Sequence, residues 1–161
     1  MDLTGLARSL LTPIPAHRTI GLEVVQAAGG VGVVAVQVRP ELTNVIGSLH
    51  SSGLITMIDA AGLAAIISAA PSASAFDGIV PLGSSASLRF RSPARGHLLA
   101  TCALDQDARR ELADIFAGAS RVRFSTTATV TGETGAVVCE GSFDWTVRWT
   151  APVAAGAGVL R

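Results

Sequence analysis

Hydrophobic and polar positions along this chain change period several times, and each change marks an element. Ile20 to Ala27 and Val31 to Val38 are rich in valine and separated by Ala28, Gly29 and Gly30, which predicts a hairpin; Pro40 closes its second strand. Ser84 to Arg91 alternates, with Ser85, Ser87, Arg89 and Arg91 on one face and Ala86, Leu88 and Phe90 on the other, the pattern of a half-buried strand. A turn at Pro93 to Gly96 leads to another strand, His97 to Leu104. The clearest pair is the last. Val122, Phe124, Thr126, Ala128 and Val130 alternate with polar residues, Gly132 to Gly135 turn the chain, and Cys139, Gly141, Phe143, Trp145, Val147 and Trp149 alternate in the returning strand.

Three segments switch to helical spacing. Leu3 to Leu11 predicts a short helix, ended by Thr12, Pro13 and Pro15 before His17 and Arg18 lead into the first strand. Asp105 caps a surface helix, Gln106 to Ala117, which stops at Gly118. The longest, Gly53 to Ala70, follows two N-cap candidates, Ser51 and Ser52, and stops at Pro71. Leu54, Met57, Ile58, Ala61, Ala65 and Ile66 fill one of its faces, while Ile55, Leu63 and Ile67 leave no wide polar face, so burial nearly all round is expected. Asp59 lies inside it. A carboxylate with little access to water must be hydrogen-bonded, paired or raised in pKa, and the last suits a general base or nucleophile.

Composition narrows the partners. The 161 residues are 49% hydrophobic, enough for one domain with a real core; residues 1–17 read as an N-terminal helical arm, 18–150 as that domain and 151–161 as a small-residue tail. All twelve basic residues are arginine and balance twelve acids, so no basic excess points to nucleic acid. Cys102 and Cys139 are too few for a disulfide framework and show no zinc or redox spacing. The N-terminus lacks the long apolar run of a signal peptide, and Asp59 argues against a membrane role for the long helix, which makes a cytoplasmic protein the expectation.

A hairpin, a long buried helix, and then four strands interrupted by a short helix describe an α+β fold in which an antiparallel sheet wraps a central helix. Asn44, then Gly47, Ser48, Leu49 and His50, then Asp59, Ala60 and Ala61 resemble the N...G-x-x-H-G-G...L-x-D-x-A signature of hotdog-fold acyl-CoA thioesterases of the phenylacetyl-CoA type and their uncharacterised relatives. The intervals from Asn44 to His50 and from His50 to Asp59 match. Leu88 to Gly96 (LRFRSPARG) and Trp145 to Trp149 extend the similarity, which spans roughly Ile20 to Trp149. The chain departs from the signature in one place, where Ser51 and Ser52 replace the two glycines.

The resemblance implies hydrolysis of an acyl-CoA thioester, with CoA entering as part of the substrate and no resident cofactor or metal. The carbonyl oxygen would be held by the Ser51 and Ser52 N–H groups at the start of the central helix. Asp59 would come from a neighbouring subunit as general base or nucleophile, Asn44 would orient water or thioester, and His50 would fix the loop or touch the carbonyl. The family's water-positioning Ser or Thr would fall near Gly83 to Ser85. Arg89, Arg91 and Arg95 could face the CoA phosphates. A homodimer or a tetramer of dimers is implied. The alternatives are a hotdog protein that binds an acyl-CoA or other apolar ligand without turnover, and an interaction module; a dehydratase is disfavoured, because no D-x-N-P-x-H pattern is present.

Overall fold

The computed structural model describes residues 1–150, so the tail expected at 151–161 lies outside the described residues. Two short helices, α1 (Thr4–Leu11) and α2 (Pro15–Ile20), precede the hairpin β1 (Glu23–Ala28) and β2 (Val31–Gln37). A 3₁₀ turn at Pro40–Leu42 and a loop lead to α3 (Ser51–Ser68), followed by β3 (Ile79–Phe90), β4 (His97–Ala103), α4 (Gln106–Phe116), β5 (Arg121–Thr131) and β6 (Val137–Trp149). The six strands form one antiparallel sheet in the order β1-β2-β4-β5-β6-β3, wrapped on α3.

The hairpin turns at Gly29 and Gly30, whose φ of 59° and 81° give the doubly left-handed turn that matches strand twist. The strand faces of β5 and β6 follow the alternation over most of their length, but Phe124 is half-buried, Trp149 at the end of β6 is exposed, and Val138 and Thr146 of the opposite set are buried. Val122, Thr126, Ala128 and Val130 are buried, as are Cys139, Gly141, Phe143, Trp145 and Val147. Trp145 stacks on Phe143 and donates its indole N–H to Thr126 Oγ1 at 2.8 Å, so the one polar atom of that ring is satisfied inside the core. Both cysteines are buried.

The helix sits close on the sheet because small residues meet there. Gly32 of β2 faces Ala61, Ala64 and Ala65 of α3, and a Cβ built on Gly32 would stand 2.3 Å from the Ala61 carbonyl oxygen and 2.4 Å from the Ala65 nitrogen. Gly62 similarly faces Trp145, and Gly141 faces Ile58. α3 is long and apolar enough to cross a membrane by length and composition, yet most of it is covered by the sheet and the arm. A stripe remains uncovered: Ser52, Ile55, Thr56, Asp59 and Leu63 are exposed or half-buried.

Three expectations are corrected. Residues Pro15 to Ile20 form a helix rather than a lead into a strand: Pro15 sits in its first turn, and Gly21, at φ 67°, ends it in the left-handed conformation. The first strand accordingly starts at Glu23. β3 is exposed along most of its length on both faces from Leu82 to Phe90, because it is an edge strand bonded only to β6 and reaches beyond the helix. Asp59 is not sealed in: its side chain keeps 30% of its accessible surface, since the apolar stripe around it belongs to the side of α3 that the sheet does not reach.

The arm closes the other open side of the core. Leu3, just before α1, and Ala7 and Leu11 within it are buried, Leu3 N–H donates to Ala27 O, and Arg8 Nε donates to Val24 O.

Candidate active site

The loop from Thr43 to His50 is built by its own polar groups. Asn44 Oδ1 accepts the backbone N–H of Ile46 and of Ser48, each at 3.1 Å, an Asx turn that settles which end of the amide is oxygen. Gly47 takes φ 72° within it. Arg95 grips the loop from outside, donating from Nη2 to Ile46 O at 2.6 Å and from Nε to Gly47 O at 3.3 Å. Ser48 Oγ accepts Ala94 N–H, Leu49 N–H donates to Ala94 O, and His50 N–H donates to Leu42 O, so both ends are pinned. Of the Asn44 amide, only the Nδ2 protons are left to point elsewhere.

His50, not Ser51 or Ser52, caps α3. Its Nδ1 accepts the Ser52 N–H at 3.1 Å and lies 2.8 Å from Ser52 Oγ. A nitrogen that accepts from a backbone N–H carries no proton, so the neutral ring holds its hydrogen on Nε2 and can donate it. The cap also decides which helix N–H groups remain. Ser52 N–H is taken by His50, and Gly53 and Leu54 N–H donate to His50 O. Ser51 N–H has no acceptor among the described residues, and it stands at the positive end of an 18-residue helix. The Ser52 hydroxyl occupies itself with the cap; the Ser51 hydroxyl has no partner among the described residues.

These groups border one cleft of about 410 Å³, whose wall includes Asn44, His50, Ser51, Leu54 and Phe90. Its wall mixes apolar Ile46, Leu49, Leu54 and Phe90 with polar Asn44, His50 and Ser51, the composition of a site for a small organic group bearing a carbonyl. Val45, Ile46 and Phe90 leave exposed apolar surface around it.

Asp59 is not part of that wall. It stands eight residues beyond Ser51 on the same helix, about 12 Å along the axis at 1.5 Å per residue. Its close neighbour is His17 of α2, whose Nε2 is 3.9 Å from Asp59 Oδ2. Of the three arginines singled out in the sequence, Arg95 is engaged by the loop, Arg91 borders the cleft but is paired with Glu140, and Arg89 is exposed with no partner among the described residues. Near Gly83 to Ser85, the Ser85 hydroxyl donates to the Asp144 carboxylate and Ser84 Oγ to the Asp144 carbonyl. Ser125 and then Ser85, by donating, hold the Asp144 carboxyl below its ordinary value. His17 and the loop-gripping role of Arg95 were not anticipated. The signal for α2 was present in Pro15 and Gly21 at its two ends, but no local pattern says which helix His17 meets.

A family model described as a domain of unknown function, DUF4442, matches residues 6–147. The chain belongs to that family. Among solved structures, a protein of unknown function from Pseudomonas aeruginosa described as a probable thioesterase is 26% identical, with a TM-score of 0.74 over 91% of this chain and 96% of its own. A thioesterase family protein from Silicibacter pomeroyi is 16% identical, with a TM-score of 0.71 over 90% and 97%. The PaaI protein of the E. coli phenylacetic acid degradation operon is 14% identical, with a TM-score of 0.66 over 92% and 96%. Among curated proteins none matches significantly. The DUF4442 chain therefore has the hotdog fold of the thioesterase superfamily, as its signature residues implied.

Proposed function

We propose that this protein hydrolyses acyl-CoA thioesters as a homodimer or a tetramer of dimers, each site built from two protomers. The observation that carries this reading is the Ser51 N–H, without an acceptor among the described residues at the start of α3, in a residue that borders the same cleft as His50 and Asn44. A thioester carbonyl placed there gains negative charge as it is attacked. Ser51 N–H, the helix dipole and His50 Nε2–H are donors fixed in advance for that charge. The sequence suggested Ser52 N–H as a second donor; with that group used by the cap, His50 Nε2–H takes its part.

Asp59 of the same protomer is too far along α3 to act there, and the uncovered stripe around Ile55 supports a second copy as its source. Two α3 helices crossing antiparallel at Ile55 would set Asp59 of one protomer against the start of the other's helix, since Ser51 and Asp59 each stand four residues from Ile55. Asp59 then takes a proton from water as the water attacks the carbonyl carbon, or attacks the carbon itself to give an acyl-aspartyl anhydride that water opens. Either way the C–S bond breaks, CoA leaves as its thiol or thiolate, and the acid is released. Asn44 Nδ2 holds the water or the thioester in line. Arg89, exposed and without a partner among the described residues, is the arginine available to meet the CoA phosphates, and Arg91 is available only by leaving Glu140.

A screen of aryl, short-chain and long-chain acyl-CoAs, with released CoA read by a thiol-reactive dye, tests this. Turnover supports the thioesterase, and saturable binding without turnover would replace it with the non-catalytic acyl-CoA binder. Ile55→Arg should dissociate the dimer by light scattering at micromolar concentration and lower kcat/KM with it. The protomer should stay folded, because Ile55 is already 41% exposed in the single chain. A monodisperse wild-type monomer would defeat the shared site.

If its hydroxyl only crowds the cleft, Ser51→Gly should raise kcat/KM several-fold, because the His50 cap on Ser52 is left intact. An unchanged or lower value would mean that the hydroxyl contributes to binding or chemistry.

A further inference from the structure

We propose that His17, in the N-terminal arm, is a positioning residue that holds the Asp59 carboxylate in its working orientation, so that the arm is part of the catalytic apparatus. The rate consequence rests on the thioesterase reading above; the pairing itself does not.

His17 is buried, at 2% exposure, in a six-residue helix that otherwise sends only Ile20 inward. Its Nδ1 lies 2.8 Å from the Leu11 carbonyl oxygen. A carbonyl can only accept, so Nδ1 carries a proton and donates it, and this bond ties α2 back to the end of α1. The ring is thereby fixed in one orientation with Nδ1 protonated, and it pairs with a carboxylate as the imidazolium, in which Nε2 carries a proton as well. Its other nitrogen, Nε2, is turned to Asp59 Oδ2 at 3.9 Å. That separation is an ion-pair distance rather than a hydrogen bond, and contacts of this kind tighten when a substrate or partner completes a site. The Asp59 side chain retains 30% exposure. Asp59 is therefore backed by a ring that the backbone holds, while part of its surface stays accessible on the uncovered stripe of α3. A carboxylate oriented by a histidine whose far nitrogen is anchored repeats, with roles reversed, the logic by which a catalytic group is steered by a third residue.

Two substitutions separate the ring's two contacts. His17→Asn places an amide nitrogen where Nδ1 was, keeping the bond to Leu11 O and removing the group that faces Asp59. His17→Gln reaches the Nε2 position and gives up the Leu11 bond. With acyl-CoA as substrate, His17→Asn should leave the melting temperature and KM near wild type and lower kcat by about 10- to 100-fold, the range expected when a reacting group is misplaced by about 1 Å. His17→Gln should recover most of that loss in kcat while melting lower. In the ¹⁵N spectrum of the wild-type protein, Asp59→Asn should move the His17 Nε2 signal and leave the Nδ1–H signal in place.

A wild-type kcat in His17→Asn, a kcat that falls only in step with stability, or an Nε2 signal indifferent to Asp59→Asn would each overturn the proposal. If the wild-type protein turns over no acyl-CoA, the thioesterase reading fails by itself. The Nε2 signal then decides whether His17 holds Asp59.

Discussion

Asp59→Asn should lower kcat by about 10²- to 10⁴-fold, the usual contribution of a general base, with little change in KM. Asparagine keeps the size and most of the hydrogen-bonding capacity of the side chain and removes its ability to take a proton or attack a carbonyl. The stability of the protein should barely change. The carboxylate is one-third exposed and its contact with His17 is 3.9 Å long, so what the pair contributes to folding is on the scale of surface ion pairs, about 1 kcal/mol at most. Steady-state kinetics and a thermal melt on the same sample check both halves. A structural acid would behave otherwise. If Asp59 chiefly fastened the arm, the substitution would lower the melting temperature and activity in parallel. Hydrolysis at the wild-type rate in a well-folded Asp59→Asn dimer would end the catalytic assignment.

The largest effect on stability is expected at Gly32. Its Cβ would collide with backbone atoms of α3, the Ala61 oxygen and the Ala65 nitrogen, which cannot swing aside as a side chain can. Gly32→Ala must push the helix off the sheet, and overpacking of this kind costs about 3 kcal/mol or more. For a chain of this size that is a fall in Tm of about 6 to 12 °C. Gly5 is the control. It lies in α1 with nothing within 4 Å of its Cβ position, so Gly5→Ala should be neutral or raise stability by up to about 1 kcal/mol. Equal melting of the two variants would refute the close approach of α3 and β2. Moving α3 also moves Ser51, so Gly32→Ala should lose activity even at temperatures where it is folded.

What the sequence made legible follows from what local patterns encode. Alternation and Gly turns located β5 and β6 because each has one face in the core, and Asp105 announced α4 by accepting the Ala108 N–H as a cap should. The same alternation predicts a half-buried β3, yet β3 is exposed on both faces along most of its length. Alternation reports what a strand could bury, while neighbour order decides what it does bury, and β3 lies at the edge beyond β6. The same limit applies at Asp59. Ile55 and Leu63 made α3 look apolar all round, but they lie on the stripe that a sheet on the other side cannot cover. α2 escaped notice because six residues between Pro15 and Gly21 are too few to show a period. In the site, the spacing of Asn44, His50 and Asp59 carried the family resemblance. The division of labour within it did not show, since nothing in a string of letters says that His50 Nδ1 takes the Ser52 N–H and leaves Ser51's free.

The two cysteines bear on how all of this can be measured. Burial pushes the Cys102 thiol up to about 11, and burial followed by the charge of Glu140 raises Cys139 as well. At neutral pH neither presents an appreciable fraction of thiolate, the form that reacts. A thiol-reactive dye will therefore record released CoA over a quiet protein blank, and preparations made without reductant will not form disulfide-linked pairs through these sites. Any dimer seen on a column is then held by the surfaces themselves, and diluting it is a fair test of their strength.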